Sequence, residues 1–306
     1  MRAVLATDAT QRSVELGEVP EPEPEPDEAL VEVAAFSPNR GETFLLEQPR
    51  VGWRPGKDIA GTVIRPASDG TGPQAGQRAV GHPDQGGWAE RVPVPTDRLA
   101  VLPDNIDPIV AAALPLAGLT ALRLLRVIGS IASRRVLLTG ASGGVGHYFV
   151  ELSAAQGGLV TAVTATAERG ERLLALGAAD TVTKVDDSVG PFDVGIDSVG
   201  GDSTPAVWHK LTQYGTLIWC GQAGRTPPQL DFFDWAGATS GTIRRFHYLE
   251  SDASVATDLE TLVRLVASGR LHPEIGTIEP WQRVADVVEA MTARRIRGNA
   301  VLTIAP

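Results

Sequence analysis

The residues best suited by type and spacing to do chemistry lie in VLLTGASGGVGHYFVELSAAQG, Val136 to Gly157. Glycines at 140, 143, 144 and 146 sit between two apolar runs. Set against the pattern G-x-G-x-x-G, the aligned positions are Ala141, Gly143 and Gly146, so the first glycine is replaced. A strand, a tight turn and a helix in this order expose main-chain N–H groups at the positive end of a helix, which is an anion site. A Cβ in such a turn would hold a pyrophosphate too far away. Ser142, Gly143, Gly144, Val145 and Gly146 are therefore the candidate phosphate-binding residues. A glycine turn that satisfies tight packing alone is the alternative.

The nucleotide is chosen about 20 residues further on, at the end of the second strand, where an acid would bind a ribose 2′-OH. That strand ends VTATAERGER, with Thr164, Ala165 and Thr166 at the critical positions and Arg169 and Arg172 after Glu168. Small hydroxyls followed by a guanidinium suit a 2′-phosphate, which arginine binds in bidentate fashion. Thr164, Thr166 and Arg169 thus point to NADP(H), here NADPH. Arg169 as a solvated residue in the first turn of a helix is the competing reading.

The elements that must position these groups follow from periodicity. Val136–Thr139 is a short apolar strand, and Gly146–Gln156 is a helix with Val145, Phe149 and Leu152 on one face. Strands are expected at Leu159–Thr164, Asp180–Val185, Phe192–Asp197 and Gly215–Gly221, with a helix over Ala167–Ala178. This βαβαβ order predicts an α/β fold with a Rossmann doubly wound parallel sheet. The first 115 or so residues differ. Short apolar runs such as ALVEVAAF, IAGTVI and RAVGH alternate with Gly/Pro turns and predict a β-rich domain. The N-terminal 20 residues read as a strand and hairpin rather than a signal peptide. EPEPEPDE, Glu21–Glu28, is an extended, solvated connector. Helices over Val255–Leu271 and Trp281–Ala293 precede a strand at Asn299–Ile304, expected to rejoin the first domain's sheet.

Composition narrows the function classes. The chain has 306 residues and a formal net charge of −10, which disfavours nucleic acid. No apolar run of about 18 residues is present, so no membrane helix is expected. A single cysteine, Cys220, allows no internal disulfide and no cysteine zinc cluster, in keeping with a cytoplasmic setting.

The chain resembles the medium-chain dehydrogenase/reductase superfamily, and within it the zinc-independent quinone oxidoreductase branch. The motifs are PGKDIAGTV, GGWAERVPV, LPLAGLTAL, ASGGVG, IDSVGG and GTLIWCG, in that order along essentially the whole chain. The resemblance implies a GroES-like β-rich catalytic domain, residues 1–116 and 250–306, and an inserted Rossmann domain, residues 117–249, with the active site in the cleft between them. It implies NADPH as cofactor, a quinone or α,β-unsaturated carbonyl as hydride acceptor, and a homodimer joined through the edge segment GTIRRFHY. Thr120, Ser198, Gly221 and Gln222 match cofactor-contact positions. Lys184 stands where relatives have a tyrosine near the 2′-phosphate, or is a solvated strand-end residue. Zinc-dependent relatives carry a ligand near Ser37–Asn39 and His-Glu at Lys57-Asp58. A catalytic zinc needs three protein ligands, and no such set is found, so no metal is expected.

Asn39 falls where the zinc-free branch has an asparagine facing the nicotinamide, and its amide could donate to a substrate carbonyl. Stabilising its own turn is the alternative role. Asn299 replaces a lysine frequent in the family. His147 is read as a surface or packing residue, and Trp53, Phe233, Trp235, Phe246, His247 and Tyr248 as lining the cleft, the core or a dimer contact. Two further readings stay open: a pathway-specific enoyl or polyketide tailoring reductase, and a non-catalytic, crystallin-like NADPH binder.

Overall fold

In the computed structural model of the chain, the structure describes residues 1–7 and 13–304. The chain forms two compact units, Met1–Leu119 with Asp252–Pro306, and Thr120–Ser251.

The first unit opens with β1 (Arg2–Ala6) antiparallel to β2 (Val14–Glu18). Residues 8–12, where the expected hairpin turns, lie outside the described residues. The proline-alternating connector carries no regular structure until Glu28 opens the next strand, and its Glu21 and Glu23 are exposed and paired with Arg91 and Arg65. There follow β3 (Glu28–Ser37), α1 (Arg40–Leu45), β4 (Asp58–Arg65), β5 (Arg78–Gly81), β6 (Arg91–Pro95), β7 (Leu99–Val101) and α2 (Pro108–Ala112). α3 (Pro115–Ile128) carries the chain into the second unit.

The second unit contains β8 (Arg135–Leu138), α4 (Gly144–Ala154), β9 (Leu159–Val163), α5 (Ala167–Ala175), β10 (Asp180–Val182), β11 (Phe192–Asp197), α6 (Ser203–His209), β12 (Leu211–Trp219) and β13 (Thr242–Arg245). The chain then returns with α7 (Val255–Ala267), β14 (Ile275–Pro280), α8 (Val284–Thr292) and β15 (Asn299–Thr303).

In the first unit, seven strands form one sheet in the order β14-β15-β3-β4-β5-β7, with β6 paired to β3. β15 lies antiparallel to β3, with Leu302 opposite Phe36, so the C-terminal strand does join the N-terminal sheet. β4 presses hard on β3: a Cβ at Gly61 would lie 2.0 Å from the Glu32 carbonyl oxygen. The apolar faces meet in a core where Phe36 and Trp88 stack with centroids 5.6 Å apart.

In the second unit, six strands run parallel in the order β10-β9-β8-β11-β12-β13. Counted from β8, this is 3-2-1-4-5-6, the doubly wound dinucleotide-binding order. Fold class thus follows the sequence expectation, while several boundaries do not. α4 starts at Gly144, two residues early, because Gly143 adopts an extended φ −83°, ψ 174° and serves as its N-cap. α5 ends at Ala175, before Gly177 at φ +98°. β10 stops at Val182 instead of Val185, because its partner β9 ends at Val163, which pairs with Val182. Among the described residues no helix is long and apolar enough to cross a membrane.

Candidate active-site residues

In the second unit, strand order reverses between β8 and β11, and ligands of such sheets bind at the carboxyl ends of the strands there. At that point the turn after β8 meets the turn after β11. Ser198 donates its Oγ to the Thr139 carbonyl at 3.0 Å, and its N–H reaches Thr139 Oγ1 at 3.1 Å. Asp197, wholly buried, anchors the junction: it accepts from Thr139 Oγ1, Ser203 Oγ, Thr204 Oγ1 and the N–H groups of Val199 and Gly200.

The glycines of the turn have different reasons to be glycine. Gly140 has φ +64°, and a Cβ on it would meet Ser198 Oγ at 2.5 Å. Gly146 sits in α4 with the Ala141 carbonyl oxygen only 2.1 Å from any Cβ. Gly143 has neither constraint: the one neighbour of a Cβ there is the Gly140 oxygen at 3.5 Å, an ordinary contact. Nothing inside the protein excludes a side chain at Gly143. No backbone acceptor among the described residues takes the N–H of Gly144, Val145 or Gly146. Ser142 is buried beside them. Three unclaimed N–H groups at a helix N-terminus, under a residue kept bare for no internal reason, fit a diphosphate.

The remaining cofactor candidates lie in the same unit. Thr164 is buried and donates to the Thr166 carbonyl at 2.8 Å, while Thr166 is exposed as the N-cap of α5. Arg169 is half-buried in the first turn of α5. Lys184 is exposed, in the segment after β10 rather than at a strand end. Thr120 is buried in α3, and Gly221 and Gln222 are half-buried after β12. Gln222 donates to the Arg225 carbonyl at 3.3 Å. Burial pushes the Cys220 thiol up to about 12, so this cysteine is no nucleophile at neutral pH. His147 is not a surface residue: it is buried, with Nδ1 on the Gly143 carbonyl at 2.9 Å. Phe233 and Trp235 are exposed, Phe246 is buried, and Trp53 packs on the first unit's core.

In the first unit, Asn39 belongs to a buried polar cluster. Its Nδ2 donates to Asp58 Oδ2 at 2.8 Å and to the Ser37 carbonyl at 3.3 Å. Both neighbours are acceptors, which fixes the amide's orientation. Its N–H groups are thus both engaged inside the protein, by Asp58 and by Ser37. Asp58 Oδ1 also meets His82 Nδ1 at 2.8 Å, and the N–H of Leu116, at the head of α3, lies 3.1 Å from each Asp58 oxygen. Glu42 completes the cluster, taking the N–H of Asn39 and that of Gly56, each at 2.8 Å. Burial pushes its carboxyl up to about 8, the Asp58 charge adds to this, and the Lys57 charge opposes it.

Glu42, Asp58 and His82 were not singled out as site residues by sequence reasoning. The available signal was a charged residue opening one apolar strand, Asp58, and an imidazole closing the next, His82. Asn299, also buried, donates to the Glu274 carbonyl at 3.1 Å and has a packing role in β15. Among the described residues no group of three or more His, Cys, Asp or Glu side chains is arranged to hold a metal ion.

A parallel 3-2-1-4-5-6 sheet with a bare glycine turn in one unit, and in the other a β-rich sheet completed by the strand Asn299–Thr303, define the two-domain architecture of medium-chain dehydrogenases and reductases. A family profile described as zinc-binding dehydrogenase matches residues 175–302. An Arabidopsis thaliana chloroplast envelope quinone oxidoreductase homolog is 33% identical over 92% of this chain and 90% of its own. A Geobacillus stearothermophilus alcohol dehydrogenase is 27% identical over 73% of this chain, which spans 66% of that relative's length. Among solved structures, Escherichia coli quinone oxidoreductase complexed with NADPH superimposes with a TM-score of 0.89 at 21% identity, covering 99% of this chain and 100% of the other. The chain belongs to the medium-chain dehydrogenase/reductase superfamily, in its quinone oxidoreductase-like branch.

Proposed function

We propose that the protein is an NADPH-dependent oxidoreductase that delivers a hydride to a quinone or to the β-carbon of an α,β-unsaturated carbonyl, without zinc. The observation that carries this reading is Gly143, a glycine with no internal steric reason to be one, next to three unclaimed helix N–H groups. Bound there, the nicotinamide nucleotide would supply the hydride. Ser142 and Gly143–Gly146 would grip its diphosphate, with Thr120, Ser198, Gly221 and Gln222 along its length. Thr164, Thr166, Arg169 and Lys184 would lie toward the adenine ribose, where Arg169 binds the 2′-phosphate. The relatives that bear quinone oxidoreductase names, one of them solved with NADPH, support the same reading.

The zinc-free part rests on side-chain chemistry. Asp58 and His82 are committed to each other, and the single cysteine, half-buried, lies in the other unit. A conjugated acceptor needs no Lewis acid, and the protein supplies position and hydrogen bonds. The final proton comes from water. A homodimer is proposed through β13, the outer strand of the parallel sheet, whose residues are exposed. A cytoplasmic location is part of the same proposal. The test is NADPH oxidation followed at about 340 nm with a panel of quinones and enones. Turnover with at least one conjugated acceptor supports the reading, whereas tight NADPH binding with no turnover on any of them favours a non-catalytic binder.

A further inference from the structure

Within the second unit, one buried hydroxyl joins the glycine turn to the turn after β11. It belongs to Thr139, the residue before Gly140. Thr139 Oγ1 donates to Asp197 Oδ1 at 2.6 Å and accepts the N–H of Ser198 at 3.1 Å, so the hydroxyl is used both as donor and as acceptor. The main chain of Thr139 is held as well. Its N–H donates to the Ile196 carbonyl at 3.0 Å, and its carbonyl accepts Ser198 Oγ at 3.0 Å. Gly140 must be bare beside this bond, because a Cβ would meet the same Ser198 Oγ at 2.5 Å.

The turn on the other side is fixed independently of Thr139. Asp197 also accepts Ser203 Oγ at 3.0 Å, Thr204 Oγ1 at 2.6 Å and the N–H groups of Val199 and Gly200, each at 3.1 Å. The segment after β12 hangs on the same frame: the N–H groups of Cys220, Ala223 and Gly224 donate to the carbonyls of Asp197, Ser198 and Val199. Thr139 is where the glycine turn is fastened to this frame. Both donors of Ser198, its N–H and its hydroxyl, are spent on Thr139. Bonds in so dry a network hold position more firmly than the same bonds in water.

Resting on the oxidoreductase reading above, we propose that Thr139 is a positioning residue for the nicotinamide nucleotide. Its hydroxyl, held between Asp197 and Ser198, sets where the glycine turn presents the N–H groups of Gly144, Val145 and Gly146. Thr139 acts through Gly140–Gly143 and touches no nucleotide itself. Several backbone donors grip one diphosphate together only when each stands within about 0.5 Å of its productive place. Without the hydroxyl, the Ser198 N–H and Asp197 Oδ1 each lose a buried partner, and the turn shifts to satisfy them. The Thr139 methyl has no part in this role.

The test measures the NADPH Kd by isothermal titration, and the urea unfolding midpoint, for Thr139→Val, Thr139→Ser and Val207→Ala beside the parent protein. Thr139→Val keeps the shape of the side chain and loses the hydroxyl, and its Kd is expected to rise about tenfold. Thr139→Ser keeps the hydroxyl, and its Kd is expected to stay within about threefold of the parent's. Val207 lies in the apolar core of the same unit, so Val207→Ala should lower the unfolding midpoint while leaving the Kd within about twofold. Ser198→Ala breaks only the bond to the Thr139 carbonyl and is read where Thr139→Val does not fold, with an expected loss of about threefold. A folded Thr139→Val that binds NADPH like the parent overturns the proposal, as does a Thr139→Ser as weak as Thr139→Val. So does Val207→Ala weakening NADPH as much, or, where it is needed, a Ser198→Ala with the parent's Kd. A parent protein that binds no NADPH sinks the oxidoreductase reading and is a distinct outcome.

Discussion

Asp58 Oδ2 accepts the side-chain amide of Asn39 at 2.8 Å, with both groups buried. That bond turns the amide's donors into the protein and joins α1's start to the first residue of β4. Asn39→Asp would set two carboxylates at that distance in a dry site. Breaking a buried pair in this way costs about 3 kcal/mol. Urea unfolding at neutral pH should show a loss of that order, and a variant as stable as the parent would show that the bond is not formed.

Glu42 gives stability a pH dependence of defined sign. Its carboxyl titrates at about 8 in the fold, against an ordinary value of 4.5. Below about 4.5 both folded and unfolded chains hold the proton. Between 4.5 and 8 the unfolded chain has lost it while the fold retains it, so stability falls as pH rises through this window and the contribution is gone above 8. One proton gives a slope of up to about 1.4 kcal/mol per pH unit. Glu42→Gln should remove this slope in denaturant titrations between pH 5 and pH 8, while costing about 1–2 kcal/mol at pH 5 because its NH2 cannot accept one of the two backbone bonds. An unchanged slope would contradict the assignment.

Much of the second unit was legible in sequence. Glycines 140–146 between a strand and a helix, followed by repeated strand–helix alternation, specify one topology, and Gly177 marks the end of α5. The strand ends were not legible, because β10's length is set by where β9 runs out, at Val163, and not by its own residues. The Asn39 cluster was hidden for a related reason. Residues 39, 42, 58, 82 and 116 come together only once β3, β4 and β5 pair, so a single-residue reading gave Asn39 a free amide and did not single out His82.

On the proposed reading, Arg169 carries the selectivity between the two nicotinamide nucleotides. Arg169→Met should raise the NADPH Kd about tenfold or more while leaving the NADH Kd within about twofold, because one charge-assisted contact is worth about 1.5–3 kcal/mol. Isothermal titration with both nucleotides measures this. Equal losses for the two would move the 2′-phosphate contact away from Arg169.

Gly146 and Gly143 should respond in opposite ways to one methyl group. In Gly146→Ala the Cβ would meet the Ala141 carbonyl oxygen at 2.1 Å, so the turn must shift, at a cost of about 1–3 kcal/mol in thermal or urea unfolding. A Gly146→Ala protein as stable as the parent would contradict the packing described.

The central claim is that Gly143 is bare to admit a diphosphate, and titrating NADPH into the Gly143→Ala protein beside the parent tests it most directly. Its backbone suits alanine and the nearest atom to the new Cβ is 3.5 Å away, so the variant should unfold with the parent's midpoint. The account predicts that the parent binds NADPH and that Gly143→Ala binds it at least about tenfold more weakly, which is about 1.4 kcal/mol. A parent that binds no nicotinamide nucleotide, or a variant that binds NADPH as tightly as the parent, would contradict it.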